Sequence, residues 1–142
     1  NQDLDTPSAT DAVGRALFAV RVTDGQLISG LNFNAVSHTS LGMTHSIVDV
    51  SGVDHDGDGI VSRIYAGDLA GNIFAFKDDV VMTFCSGAKT RSIANGVWSA
   101  QKLFSASAAD GVQRKILYAP DVVGEDFGEM IFFGTGDRSD PD

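Results

Sequence analysis

Apolar and polar positions change over in short steps along this chain, and no stretch longer than about seven residues holds a 3.6-residue period. The pattern predicts strands. Ala16 to Val22 is a β-rich run, Thr23 to Gln26 reads as a tight hairpin turn, and Leu27 and Ile28 begin the return strand. Asp24-Gly25 between two apolar runs is a strong hairpin signal. Residues 32 to 44 mix Asn, Ser, Thr, His and Gly with scattered apolar residues, and read as loop with a short edge strand. His45 to Val50 and Ile60 to Ala66 read as strands on either side of an acidic loop. Asp68 to Asn72 turns the chain, and Ile73 to Lys77 runs back with Phe74 and Phe76 on one face.

Further along, Val80 to Phe84 reads as a strand, Ser86 to Asn95 as loop, and Val97 to Phe104 as a strand carrying the single tryptophan, Trp98. Ser105 to Gly111 reads as a short helix or a loop, alanine favouring the first and serine and glycine the second. Lys115 to Ala119 and Glu129 to Phe133 form the expected last strand pair, turning through Glu125 to Gly128, and a turn-rich tail follows from Gly134. Trp98 and Phe104 read as core or as a seam between sheets; exposed beside Phe33 or Phe127, they would form a binding patch. Many short strands separated by glycine- and aspartate-rich turns predict an all-β fold.

Composition narrows the function. The chain has 142 residues, is 43% hydrophobic and carries nine Phe, enough apolar material for a core in one domain. Its formal net charge of −9 disfavours nucleic acid and anionic membrane surfaces, which reward basic patches. No apolar run approaches a bilayer-crossing length, so no membrane insertion is expected. Cys85 stands alone, which excludes an intrachain disulfide and a thiolate metal cluster. The polar start is not a signal peptide and lacks an initiator methionine, as expected of a processed chain or a fragment.

Acidity concentrates between residues 49 and 79, where seven acidic residues face Arg63 and Lys77 for a local charge of −5. At its centre stands Asp54-His55-Asp56-Gly57-Asp58-Gly59-Ile60. Three aspartates at alternate positions, with glycines to bend the backbone, can aim their oxygens at one hard cation. Calcium suits such a loop, since it takes six to eight oxygens in uneven geometry. Counted as an EF-hand-like loop from Asp54, the candidate ligands are Asp54, Asp56, Asp58, the Ile60 carbonyl and Ser62, with Gly59 at the bend. Tyr65 stands where an EF-hand has its bidentate Glu, and no helix flanks the loop. Asp49, His55 or Asp68 could complete the shell, although Asp68 fits better as the acceptor of its own turn. The rival reading is an acidic surface turn with no ion. With three carboxylates, the expected affinity is modest, at the roughly submillimolar end.

His38, His45 and His55 match no compact zinc spacing, and the glycines make no phosphate loop. Neither a nucleophile elbow nor a carboxylate pair suited to glycoside hydrolysis stands out. An internal echo points to architecture instead. Ile64 to Gly71 and Leu117 to Gly124 share Tyr-Ala-x-Asp-x-x-Gly at an offset of 53, each followed by a Phe-rich strand, and Ala16 to Leu27 is a looser third copy. Together with the all-β pattern, this suggests blades of a β-propeller, whose period is roughly 40 to 50 residues. Propellers close with four or more blades, so the chain is read as a partial β-propeller of two to three blades within a larger one, or as a smaller two-sheet unit. Residues 1 to 12 are a flexible lead-in, and residues 13 to 142 form the propeller segment with the loop at 54 to 62.

Three stretches carry a resemblance in sequence order: Asp54 to Ile60, Arg63 to Phe74, and Ala119-Pro120-Asp121-Val122-Val123 ending in Phe133-Gly134-Thr135-Gly136. Together they resemble the C-terminal β-propeller domain of PilY1-type proteins, in which a D-x-D-x-D-G loop precedes a Y-x-G-D-L-x-G-N hairpin and a later A-P-x-V-V stretch leads to F-G-T-G. The resemblance implies a non-enzymatic, calcium-binding part of a type IV pilus-associated assembly and adhesion protein, with roles in pilus extension and twitching motility. It implies an extracellular location, at the bacterial cell surface, the pilus tip or the outer membrane. Pilins or minor pilins are the implied partners, with host or surface ligands beside them. The family pattern has Asp where this chain has Ser62, which removes one charge from the loop. Exposed strand edges also predict self-association.

Two other functions compete. A blade segment of a quinoprotein-type propeller enzyme would carry similar strand turns, but should also show stacked tryptophans, and Trp98 is single. A generic surface module would use calcium only for stability.

Overall fold

Turn chemistry sets the first hairpin. Gly25 takes a left-handed φ of 70°, Asp24 accepts the Gln26 N–H at 3.1 Å, and the Arg21 guanidinium pairs with Asp24 at 2.8 Å. Strands β1 (Ala16–Val20) and β2 (Leu27–Asn34) therefore meet antiparallel, with Leu17 opposite Phe33. The computed structural model describes residues 14–55, 57, 59–78, 98–106, 112, 114–125 and 128–136. The expected lead-in, the Val80 to Phe84 strand and the Ser86 to Asn95 loop lie outside the described residues.

After β2 a short 3-10 turn at Thr39–Leu41 ends on Gly42, and four strands then run as an antiparallel meander. These are β3 (Ile47–Val53), β4 (Arg63–Asp68), β5 (Asn72–Asp78) and β6 (Trp98–Ser105). Such a four-stranded unit is the blade of a β-propeller. A second hairpin follows, β7 (Asp121–Glu125) with β8 (Gly128–Phe132). The chain is all-β, a partial propeller in three layers.

Paired residues share a face of a sheet, which assigns the layers. Ile64 faces Phe76, Ala66 faces Phe74, and Phe76 faces Ala100. That face packs on the first hairpin, where Leu17, Ile28, Leu31 and Phe33 join Leu41, Met43, Phe74, Phe76 and Trp98 in one core. The Phe33 and Phe76 rings lie 5.1 Å apart. On the opposite face stand Arg63, Tyr65, Gly67, Ile73 and Ala75. There the chain between β6 and β7 comes to rest, and Ile116 fills the space over Gly67, where an added Cβ would lie 2.4 Å from the Ile116 Cγ2.

Being covered on both faces explains why Asn72 to Phe76 are all buried, where a half-exposed strand would alternate. Other departures have similar causes. The strand expected at Ile60 begins at Arg63, because Ser62 donates its N–H to the Val53 carbonyl at 2.9 Å and closes the preceding loop. Strand β3 reaches Val53, past the expected end at Val50. Lys115 to Ala119 is not a strand: Ile116 is spent as a plug, its N–H donating to the Asp68 carbonyl at 3.1 Å, and Pro120 has no N–H for a ladder. The last pair is β7 with β8 instead. The echo accordingly does not survive as a structural repeat, since Tyr65 and Asp68 lie in β4 while Tyr118 lies in a bend and Asp121 starts β7. Phe104 is not core either; it is half exposed and leans on Phe133, with the ring centres 5.7 Å apart.

Candidate functional site

The acidic loop joins β3 to β4, and its neck is tied twice. Besides the Ser62 N–H to Val53, the His55 N–H donates to Ser62 Oγ at 3.0 Å. Ser62 is thereby buried, at 6% exposure, and holds the two ends of the loop together. Within the loop the backbone winds about Asp54. Its Oδ1 accepts the Gly57 N–H at 2.8 Å and its Oδ2 the Gly59 N–H at 2.7 Å. Gly57 and Gly59 take φ of 70° and 87°, a region that costs other residues strain. The glycines thus let two amides reach one carboxylate.

Of the expected ligands, Asp54 and Ser62 are brought to the two ends of this neck, with Ile60 between them. Asp56 and Asp58 lie outside the described residues. Among the described residues, no cluster of three or more His, Cys, Asp or Glu stands ready for a metal. The proposed donor set is nonetheless all oxygen, which fits a hard cation.

The three side chains considered for completing the shell go elsewhere. Asp49 accepts the Val50 N–H and, at 3.2 Å, the Ala119 N–H. Asp68 is fully buried and serves its own turn, accepting the Ala70 and Asn72 N–H groups on one oxygen and the Asn72 amide on the other. Burial pushes its carboxyl above the ordinary range, and these hydrogen bonds draw it part of the way back. His55 reaches across to Glu129. The other histidines are apart from it: His38 packs on the Phe33 ring, and His45 pairs with Thr44.

Glu129 is the residue that sequence reasoning missed. It is the second residue of β8, its side chain is 5% exposed, and it gathers three partners. His55 Nδ1 lies 2.7 Å from Oε1, the Arg63 guanidinium donates to Oε2 at 2.7 Å, and the Tyr65 hydroxyl donates to the same Oε2. Burial alone would raise this carboxyl. The hydrogen bonds from Tyr65, Arg63 and His55 outweigh it and hold the group below the ordinary carboxylate range. Tyr65 is pushed the other way, first by burial and then by the adjacent carboxylate. Nothing local marks Glu129, because its partners lie 64 to 74 residues away in sequence. The one hint is a charge at the head of an apolar strand.

Comparison with known proteins places this arrangement. No family model matches the chain. Over 87% of its length it is 30% identical to the type IV pilus biogenesis factor PilY1 homolog of Xylella fastidiosa, of which it spans 9%. The crystal structure of the Pseudomonas aeruginosa PilY1 C-terminal domain matches it with a TM-score of 0.64 at 25% identity, over 86% of this chain and 26% of that one. The chain is of the PilY1 type. It is a short segment relative to both.

The PilY1-type motif can now be read physically. In Tyr65 to Phe74, the tyrosine supplies the phenol for Glu129 and Gly67 leaves room for Ile116. Asp68 and Asn72 lock the turn, and Gly71 takes φ 81° where an added Cβ would meet the Arg114 carbonyl at 2.3 Å. Ala119-Pro120 delivers the chain to β7, with the Ser51 hydroxyl donating to the Pro120 carbonyl. The motif therefore specifies how the second hairpin sits against the blade.

Proposed function

We propose that this segment is a calcium-binding, non-enzymatic portion of a type IV pilus-associated protein that acts through assembly and adhesion contacts. The observation that carries this reading is the loop wound about Asp54 by the Gly57 and Gly59 amides and pinned at its neck by Ser62. The name of the Xylella relative, a pilus biogenesis factor, supplies the context. Calcium held by Asp54, Asp56, Asp58, the Ile60 carbonyl and Ser62 would offset part of the local negative charge and fix the connection between β3 and β4. Ser62 contributes no charge, so binding belongs at the weak, roughly submillimolar end.

A non-enzymatic role is supported by two buried carboxylates among the described residues, Glu129 and Asp68. A general acid near neutral pH wants a raised pKa and an open side to a substrate. Glu129 is displaced in the wrong direction, and both oxygens of Asp68 serve its own turn. The expected setting is the bacterial cell surface, at the pilus tip or the outer membrane, with pilins or minor pilins as partners, host or surface ligands as adhesion targets, and self-association through unpaired strand edges.

Calorimetric titration of the chain with calcium, beside Asp54→Asn, tests the reading. Wild type is expected to bind one ion in the submillimolar range, and Asp54→Asn to bind at least tenfold more weakly, since one charged ligand is lost. No titratable binding by wild type would remove the proposal.

A further inference from the structure

We infer that Glu129 couples the Asp54 loop to the β7–β8 hairpin, so that the state of the loop and the seating of the hairpin are read by each other. The ion half of this inference rests on the calcium reading above. The mechanical half rests on geometry alone.

The carboxylate of Glu129 spans three places in the fold. Its Oε2 takes the Arg63 guanidinium and the Tyr65 hydroxyl, both on the face of β4 toward the hairpin. Its Oε1 takes His55, which lies inside the loop beside Asp54 and whose own N–H closes the neck on Ser62. A shift of the loop at His55 must therefore either break the 2.7 Å contact or carry β8 with it. At its other end the hairpin is anchored separately, by the Ala119 N–H on Asp49 and the Ser51 hydroxyl on the Pro120 carbonyl. Both of those anchors lie on β3, ahead of the loop. The hairpin thus bridges the strand that enters the loop and the strand that leaves it. Of these ties, only the one through His55 touches the loop itself.

Coupling between two sites is reciprocal: whatever the hairpin does for the ion, the ion does for the hairpin by the same factor. A loop ordered by an ion presents His55 to Glu129 in one place, and a seated Glu129 holds the loop near its ion-ready shape. Calcium at the loop would then order β7 and β8, which carry the exposed Val123, Met130 and Phe132 on their outer face. Glu129 is a positioning residue in this scheme and touches no ion.

Two variants and two readouts test it. Glu129→Gln removes the charge shared by all three partners, and His55→Ala, at an exposed side chain, cuts only the tie to the loop. Hydrogen exchange is followed at Gly57 and Gly59 in the loop and at Val122 and Ile131 in the hairpin, in chelator and in saturating calcium, with calcium Kd measured beside it. In wild type, calcium is expected to slow exchange at Val122 and Ile131. In His55→Ala that slowing disappears while the hairpin stays as protected as in chelated wild type, and Kd weakens by about fivefold or more, the low end of ordinary coupling. In chelator, both variants expose Gly57 and Gly59 faster than wild type. Equal Kd and equal calcium-dependent protection in wild type and His55→Ala would overturn the coupling while leaving the calcium reading intact. Wild type that takes no calcium would overturn the ion half, and the Gly57 and Gly59 rates in chelator would still decide whether the loop follows the hairpin.

Discussion

Three donors converge on the Glu129 carboxylate and three, all from its own turn, on that of Asp68, yet the two carboxylates respond in opposite senses. For Glu129 the folded group lies below its unfolded value, so its stabilisation is present above the ordinary glutamate range, about 4.3, and is lost as pH falls through the depressed folded value. For Asp68 the folded group lies above its unfolded value, so its contribution is present below the ordinary aspartate range and is lost as pH rises through the raised one. The two slopes oppose each other in the acid range. Glu129→Gln removes the first of these two contributions. The unfolding free energy of the variant, from urea denaturation, is therefore expected to fall below wild type at pH 7 and to converge on it toward pH 3, a gap of about 1–3 kcal/mol closing with acid. A gap that stays constant from pH 7 to pH 3 would show that the Glu129 charge is irrelevant to its seat.

Between elements, the decisive contact is the absence of a side chain at Gly67. Ile116 is fully buried over it, and its N–H is held by the turn that Asp68 and Asn72 lock. Gly67→Ala would push a methyl to within 2.4 Å of Ile116 Cγ2 in a place where backbone ties leave little slack. The expected cost is about 1–3 kcal/mol. Ile116→Ala removes the Cγ2 that the new methyl would meet, so the double variant should lose less than the sum of the two single changes, because the pair shares one space and such neighbours are not additive; thermal melts of the two single variants and the double check this, and additive losses would show that the contact is not the cause. This pair also marks how far the sequence could be read. The turns were legible, since Asp24-Gly25 and Asp68 to Asn72 act through their own backbone. The run from Ile73 to Lys77 reads as a strand with Phe74 and Phe76 on one face, and nothing in it says that both faces are covered. Lys115 to Ala119 looks like a strand because Ile116 and Leu117 are apolar, yet the apolarity serves a plug. Glu129 was invisible because its meaning lies in His55, Arg63 and Tyr65. The loop was visible because its aspartates and glycines stand together.

Over the molecule as a whole, the first hairpin and the second meet the blade in different ways. The first hairpin is held by a core of Leu17, Leu31, Phe33, Phe74 and Phe76, whereas the second is held by the Ile116 plug and by polar ties to β3 and β4. Apolar burial of the first kind is indifferent to ions. The second kind adjoins a stretch of charge −5, where self-repulsion opposes the folded loop. An ion that binds only the folded state stabilises it by mass action, by about 1.4 kcal/mol when free calcium is tenfold above Kd. For a domain of this size that corresponds to a rise in Tm of a few degrees, roughly 3–6 °C. The rise should be lost in chelator, and magnesium should not replace calcium, since it demands tighter octahedral geometry and sheds its water reluctantly. The distribution of the effect is as telling as its size. Limited proteolysis in chelator is expected to cut first near the Asp54 loop and the β7–β8 hairpin and to spare β1, β2 and β5, because only the former depend on the loop for their ties. Calcium-independent cutting, spread evenly between the two hairpins, would mean that the ion has no hold on the second layer and that the blade core alone sets the stability of the segment.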